Sequence, residues 1–334
     1  MPKRGRGDET LGDGEDWRAE SGEANGTQAI SSVDLATVPS EDPIVAQRRI
    51  RTYLRSLRLR SAEHKTQKQV ASELDWSPVK LLRLEAGHQP VATSDLMALL
   101  TLYGITDDHE FRYWVDLARI SRKPTIRDVY RDIFSKPFAE FVQHEPYASV
   151  KREYSTKLVA GVLQTEEYTA AVLRAYMGQR ASQKEIDRRI LARAARYEQL
   201  FGRSDEMPDL SFIIDEAVLR RQVGRELGLS NLMTRQLEHL REIGSRPKVN
   251  ISIVPFTFGM YGALRGPFEL LEFADPADPP MLYVENPLGD ELIHEDDEAI
   301  ATYLEIFTDL EDALQKDPDV NFARQLDKLI SELR

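Results

Sequence analysis

Between Arg48 and Arg83 the chain gathers side chains suited to gripping phosphate and reading base edges. Arg48, Arg51, Arg55 and Arg58 follow one another at steps of three, four and three, and Thr66, Gln67, Ser77, Lys80 and Arg83 come after them. On a helix that arginine spacing forms one guanidinium row, and guanidinium groups that neutralise phosphates release counterions from a duplex. Arg83 carries a planar fork that pairs bidentately with a guanine edge, and Val79 carries methyl groups that meet a thymine methyl. A charge row is also the mark of an ordinary solvated helix face, so the row points to nucleic acid only through the elements beside it.

Those elements centre on Thr66 to Gly87, TQKQVASELDWSPVKLLRLEAG. Its apolar residues Val70, Ala71, Leu74, Trp76, Leu81 and Leu84 form two helical sets separated by a break at Asp75 to Ser77, the pattern of a helix-turn-helix unit. Thr66 and Ser77 suit N-cap positions, Pro78 suits the first helical position, and Gly87 suits a C′ position with positive φ. Leu81 and Leu84 then face inward, leaving Pro78, Val79, Leu82 and Arg83 outward with Lys80 at the flank. Two helices of about two turns each are not stable alone and need flanking partners. A helix from Pro43 supplies Ile50, Leu54 and Leu57. A second, capped by Ser94 or Thr93, carries Leu96, Leu99, Leu100 and Tyr103 and is closed by Gly104. A third, opened by Asp107 and Asp108, runs through Phe111, Trp114, Val115 and Leu117 to Ile120. Residues 43–121 thus read as an all-α five-helix domain.

The 334 residues leave room for a second domain, and the zero cysteines exclude disulfides and thiolate chemistry. No run of 18 apolar residues spans a membrane and no hydrophobic signal segment follows the N-terminus, so a cytoplasmic protein is expected. The net charge of −12 is unevenly placed: residues 1–42 hold 4 basic and 10 acidic groups, residues 43–90 hold 10 and 4, and residues 91–334 hold 30 and 42. The basic surplus is confined to the helix-turn-helix region, the footprint of a nucleic-acid module on an acidic chain. Residues 1–42, rich in small and acidic residues, read as a disordered tail.

Residues 122–149 place Pro124, Pro137 and Pro146 among Tyr130, Phe134, Phe138, Phe141 and Tyr147, a connecting segment of short helical pieces that docks on the C-terminal domain. Residues 150–334 read as an α+β domain with a small, mainly antiparallel sheet. Its helices are Thr165 to Met177, Gln183 to Phe201, two before Ile243, Glu298 to Leu314 and one from Asn321. Its strands are Leu210 to Ile214, Val249 to Val254, Phe268 to Phe273 and Met281 to Val284. Catalytic chemistry is not expected. The six histidines form no i, i+4 pair, GMYGALRG at Gly259 to Gly266 lacks the Lys-Ser/Thr ending of a phosphate loop, and no nucleophile stands beside a base, so neither a metal nor a cofactor is implied. Arg189, Arg193 and Arg196 form a basic stripe, while residues 275–334 hold 17 acidic and 4 basic groups. The stripe is expected to pair with the domain's own acids or to face solvent, and the acidic surface to keep this domain off DNA.

TQKQVASELDWSPVKLLRLEAG followed by SDLMALLTLYGI resembles the phage-repressor-like (Cro/C1, xenobiotic-response-element) domain. LVAGVLQTEEYTAAVLRA, VNISIVPF, GPFELLEF and YVENPLGD resemble the large C-terminal domain of actinobacterial WhiJ-type regulators. The resemblance implies base reading at Pro78, Val79 and Arg83 and phosphate contact at Gln67 and Ser77. To the phosphate set the residue types add Thr66, Lys80, Arg48, Arg51 and Arg55. The apolar Pro78, Val79 and Leu82 depart from the family's pattern and favour docking over strong base readout. The resemblance also implies double-stranded DNA as partner, and its members are often encoded beside a short partner protein and act as antitoxin-like regulators. Modules of this kind work as dimers on paired half-sites, so a homodimer is expected. The expectation is a sequence-specific transcriptional regulator whose second domain receives a partner or signal. Its rivals are an antitoxin-like interaction protein that only autoregulates through DNA, and a ligand sensor with a pocket in the sheet domain.

Overall fold

The computed structural model describes residues 43–60, 65–85, 90–178, 182–202, 207–274 and 278–333. The tail at 1–42 and the C′ position at Gly87 lie outside the described residues. Five helices open the chain: α1 (Pro43–Arg60), α2 (Gln67–Glu73), α3 (Pro78–Glu85), α4 (Thr93–Leu102) and α5 (Asp108–Ile120). They share one core in which Ile50 and Leu54 of α1, Val70 of α2, Leu81 and Leu84 of α3, Leu96 and Leu99 of α4 and Leu117 of α5 are buried together. The apolar stripe of each helix is thereby covered by its neighbours, which is what holds two-turn helices in place. The start of α4 differs from expectation: its N-cap is Ala92, which makes no side-chain cap bond, and Thr93 is already helical. Gly104, at φ 74, closes that helix in the left-handed region.

Two short helices follow, α6 (Ile126–Val129) and α7 (Lys136–His144). Their Ile126, Phe141 and Val142 are buried against Ala192, Ala195, Leu271 and Tyr283 of the C-terminal half, so the aromatic segment packs there. The rest of the chain runs β1 (Val150–Ser155), α8 (Glu166–Met177), α9 (Gln183–Phe201), β2 (Asp209–Asp215), α10 (Glu216–Arg220), α11 (Leu232–Gly244), β3 (Val249–Val254), β4 (Phe268–Glu272), β5 (Met281–Val284), β6 (Glu291–Ile293), α12 (Asp297–Lys316) and α13 (Phe322–Leu333).

Among the described residues the strands form one six-stranded sheet in the order β3-β2-β1-β4-β5-β6. β1 pairs with β2, and β2 with β3, in parallel; β1 with β4, β4 with β5 and β5 with β6 are antiparallel. The sheet is therefore mixed, antiparallel in three of its five pairings as expected, and larger than the four strands read from the sequence. The parallel steps follow from connection length, because α8 with α9, and α10 with α11, are the long crossovers that parallel neighbours require. One face of the sheet buries Leu210, Phe212 and Ile214 beneath α8, α11 and α13. The other buries Tyr154, Ile213, Leu270 and Leu282 beneath Phe307 and Leu310 of α12. The C-terminal half is thus α+β with helices on both faces of the sheet.

Candidate nucleic-acid interface

Local chemistry fixes the angle between α2 and α3. The Thr66 hydroxyl accepts from the Gln69 amide at 3.3 Å, and the Gln69 side chain accepts from the Thr66 amide at 2.8 Å, a closed capping box at the start of α2. Asp75 takes φ 54, the left-handed conformation that lets the chain turn sharply after α2. The Trp76 amide donates to the Ala71 carbonyl at 2.7 Å, and the Ser77 hydroxyl accepts from the Lys80 amide at 3.3 Å, which starts α3.

The inward face of α3 is held by more than leucines. Glu85 is buried and accepts from Arg58 of α1 at 2.7 and 2.8 Å and from Gln67 of α2 at 2.7 Å. Arg58 also donates to the Lys65 carbonyl at 3.1 Å, so one carboxylate ties three helices at a single point. The Glu85 hydrogen bonds hold the Arg58 guanidinium above its ordinary pKa. This residue escaped the reading of the sequence, although its place, four residues after the inward Leu81 and one after Leu84, marks an acid facing the core.

On the outward face Val79 is 53% and Leu82 52% exposed, with Pro78 and Arg83 exposed beside them. Among the described residues Arg83 has no ion partner, so its guanidinium fork is available to a base edge. Thr66 and Ser77 are exposed at the helix starts. Lys80 is half-buried, bonded to Asp95 at 2.7 Å and seated 3.8 Å from the centre of the Trp76 ring. Gln67 is also half-buried, with its amide turned to Glu85. The structure therefore brings Thr66, Gln67, Ser77, Pro78, Val79, Lys80 and Arg83 onto two adjoining helices.

The arginine row of α1 divides. Arg55 is exposed and Arg58 belongs to the Glu85 knot. Arg48 and Arg51 point to the C-terminal half, where both meet Asp278, at 3.0 and 2.6 Å. Arg48 also donates to the Tyr147 carbonyl at 3.1 Å and lies 4.9 Å from the Tyr147 ring centre. These two guanidinium groups are engaged within the chain. Nothing in the local sequence announces this, because Asp278 lies 227 residues beyond Arg51.

A helix with a polar and apolar outward face, started by an exposed capping hydroxyl and backed by the Glu85 knot, can enter the major groove and contact base edges while its neighbours touch phosphate. No helix among the described residues is long and apolar enough to cross a membrane. A family model described as a helix-turn-helix domain matches residues 49–114, and one described as a domain of unknown function, DUF5753, matches residues 138–317. No curated protein and no solved structure matches the chain.

Proposed function

This chain belongs to the DUF5753 family, and we propose that it is a sequence-specific, DNA-binding transcriptional regulator of the WhiJ type that works in the cytoplasm as a binding protein and not as an enzyme. The observation that carries the reading is the outward face of α3, where Arg83 stands exposed and without an ion partner among the described residues on a helix whose other side is locked by Leu81, Leu84 and Glu85. Arg83 and Val79 read bases with Pro78 beside them, and Thr66, Ser77, Lys80 and Arg55 contact phosphate. Gln67 is oriented by Glu85 and reaches phosphate from that anchor. Arg48 and Arg51 leave the phosphate set and join the two halves of the chain through Asp278. One copy of α3 covers only a few base pairs, so the reading includes a homodimer with recognition helices about 34 Å apart on paired half-sites.

Fluorescence anisotropy on duplexes selected from a random pool tests this. Arg83→Ala is expected to remove about 1–3 kcal/mol of discrimination at one base position. Arg55→Ala is expected to weaken all duplexes alike and to shallow the salt slope by about 0.9. An unchanged ratio of selected to random binding in Arg83→Ala would overturn the assignment. A second reading, an antitoxin-like binder of a short partner protein that only autoregulates through DNA, is favoured by the exposed Phe256, Met260 and Leu264 between β3 and β4. A stoichiometric short protein copurifying from the native host, and lost on Met260→Asp, would support it.

A further inference from the structure

The sheet face beneath α9 is apolar at both ends and charged in the middle. Leu210, Phe212 and Ile214 on one side, and Leu271 and Tyr283 on the other, belong to hydrophobic clusters. Between them β1 turns Lys151 and Glu153 to the same face, in register with Leu210 and Phe212. Lys151, fully buried, meets Glu145 at 3.1 Å, Glu153 at 3.2 Å and also Glu269. Arg196 of α9 is held by both oxygens of Glu145, at 2.8 and 2.6 Å. Buried charge of this kind stabilises less than apolar packing of the same shape, so stability alone does not account for it.

Beside this network a cavity of about 340 Å³ opens between α9 and the carboxyl end of β1. That strand end is where the pairing changes from parallel, with β2, to antiparallel, with β4. The volume lies within the ~300–1,000 Å³ range of small-molecule sites. Arg193 lines it, and among the described residues it makes no ion pair or hydrogen bond; its Nη1 is buried without a partner. Burial and the neighbouring Arg196 and Arg189 push the guanidinium down to about 10, so it stays charged at neutral pH. Gly161 lines the same cavity close to both guanidinium groups: a Cβ built there would lie 3.5 Å from Arg196 Nη1 and 3.9 Å from Arg193 Nε, in ordinary contact.

We propose that this cavity binds a small molecule carrying a single carboxylate, with Arg193 as the anion's partner and the apolar body of the ligand against Phe134, Phe138 and Leu158. A guanidinium fork matches a carboxylate bidentately. Of the other charged groups that line the cavity, Lys157, Arg189 and Arg196 are offset by Glu153, Glu269, Glu285 and Asp290, so the site lacks the surplus of positive charge that a doubly charged phosphate needs and suits a singly charged carboxylate better. The site is independent of the DNA-binding reading, and its test contains no DNA.

Calorimetric titration and thermal unfolding of the full chain with benzoate, benzamide and phenyl phosphate test the proposal. Benzoate is expected to bind saturably and to raise the melting temperature, with the amide and the phosphate at least about tenfold weaker. Arg193→Met is expected to weaken benzoate by about 10- to 100-fold. The unliganded variant is expected to melt higher than the parent, because an uncompensated buried charge has gone. A structural arginine would give the opposite shift, so a lower melting point for Arg193→Met overturns the proposal. So do equal affinities for benzoate and benzamide, tighter binding of phenyl phosphate, or no benzoate binding up to about 10 mM.

Discussion

Replacing Glu85 by alanine is expected to unfold the helix-turn-helix half at temperatures where the rest of the chain is intact. The side chains of Arg58 and Glu85 are 12% and 4% exposed, so solvent screens their pairing little. Alanine removes the acceptor of two Arg58 bonds and one Gln67 bond and leaves a guanidinium without its carboxylate. Breaking a buried pair from one side costs about 3–5 kcal/mol. For a domain of this size each kcal/mol lowers the melting temperature by about 4–8 °C, so the fall is at least ~12 °C. Far-ultraviolet circular dichroism across a thermal scan should resolve an early helical transition in Glu85→Ala and a single later one in the parent. The double variant Arg58→Met, Glu85→Leu, which replaces the pair with apolar bulk, should regain most of the loss. A loss below about 1 kcal/mol in the single variant, or a double variant as unstable as the single, would refute the knot as the joint of these helices.

Asp75→Val should destabilise the same half by at least ~1–2 kcal/mol, because a β-branched residue resists the left-handed φ of 54 at that turn. Asp75→Gly should stay within ~1 kcal/mol of the parent, and equal melting of the valine and glycine variants would contradict the turn's strain. Stability should also fall with rising pH in a window set by Glu153. Burial and the neighbouring Glu269 push its carboxyl up to about 8 from an ordinary 4.5. Between those values the folded chain holds a proton that the unfolded chain has released, so stability drops by up to ~1.4 kcal/mol per pH unit and levels off above. Urea unfolding from pH 5 to 8.5 should show that slope reduced in Glu153→Gln, and an identical slope in parent and variant would exclude Glu153 as its source.

The first five helices were legible because their signals are local: the caps at Thr66, Ser77 and Asp107, and apolar residues at helical spacing. Most of the C-terminal helices and the strands β2 to β5 were visible for the same reason. β1 was not, since its KREYS run buries Lys151 and Glu153, and a strand whose inward residues are charged reads as a polar loop. Of the groups that make this burial tolerable, Glu145 lies nearby, but Glu269 on β4 is 118 residues from Lys151, and Arg196 on α9, which holds Glu145, is 51 residues from that acid, so neither leaves a mark on the local sequence. Missing β1 concealed the parallel half of the sheet, because β1 is the strand on which β2 pairs. The outward residues of α3 were legible from Leu81 and Leu84 alone. The diversion of Arg48 and Arg51 to Asp278 was not, for the pairing is set by tertiary packing that local spacing does not encode.

That Arg48 and Arg51 share one carboxylate across the junction bears on how such chains recombine. The two halves are not interchangeable parts: grafting this helix-turn-helix onto another C-terminal half would take the Asp278 carboxylate away from Arg48 and Arg51, and grafting in a foreign one with neutral residues at these positions would remove both cations from Asp278. A chimera that keeps the junction must carry both sides of it, so residues 48, 51 and 278 travel together, and the helix-turn-helix half is inherited with the domain it is pinned to.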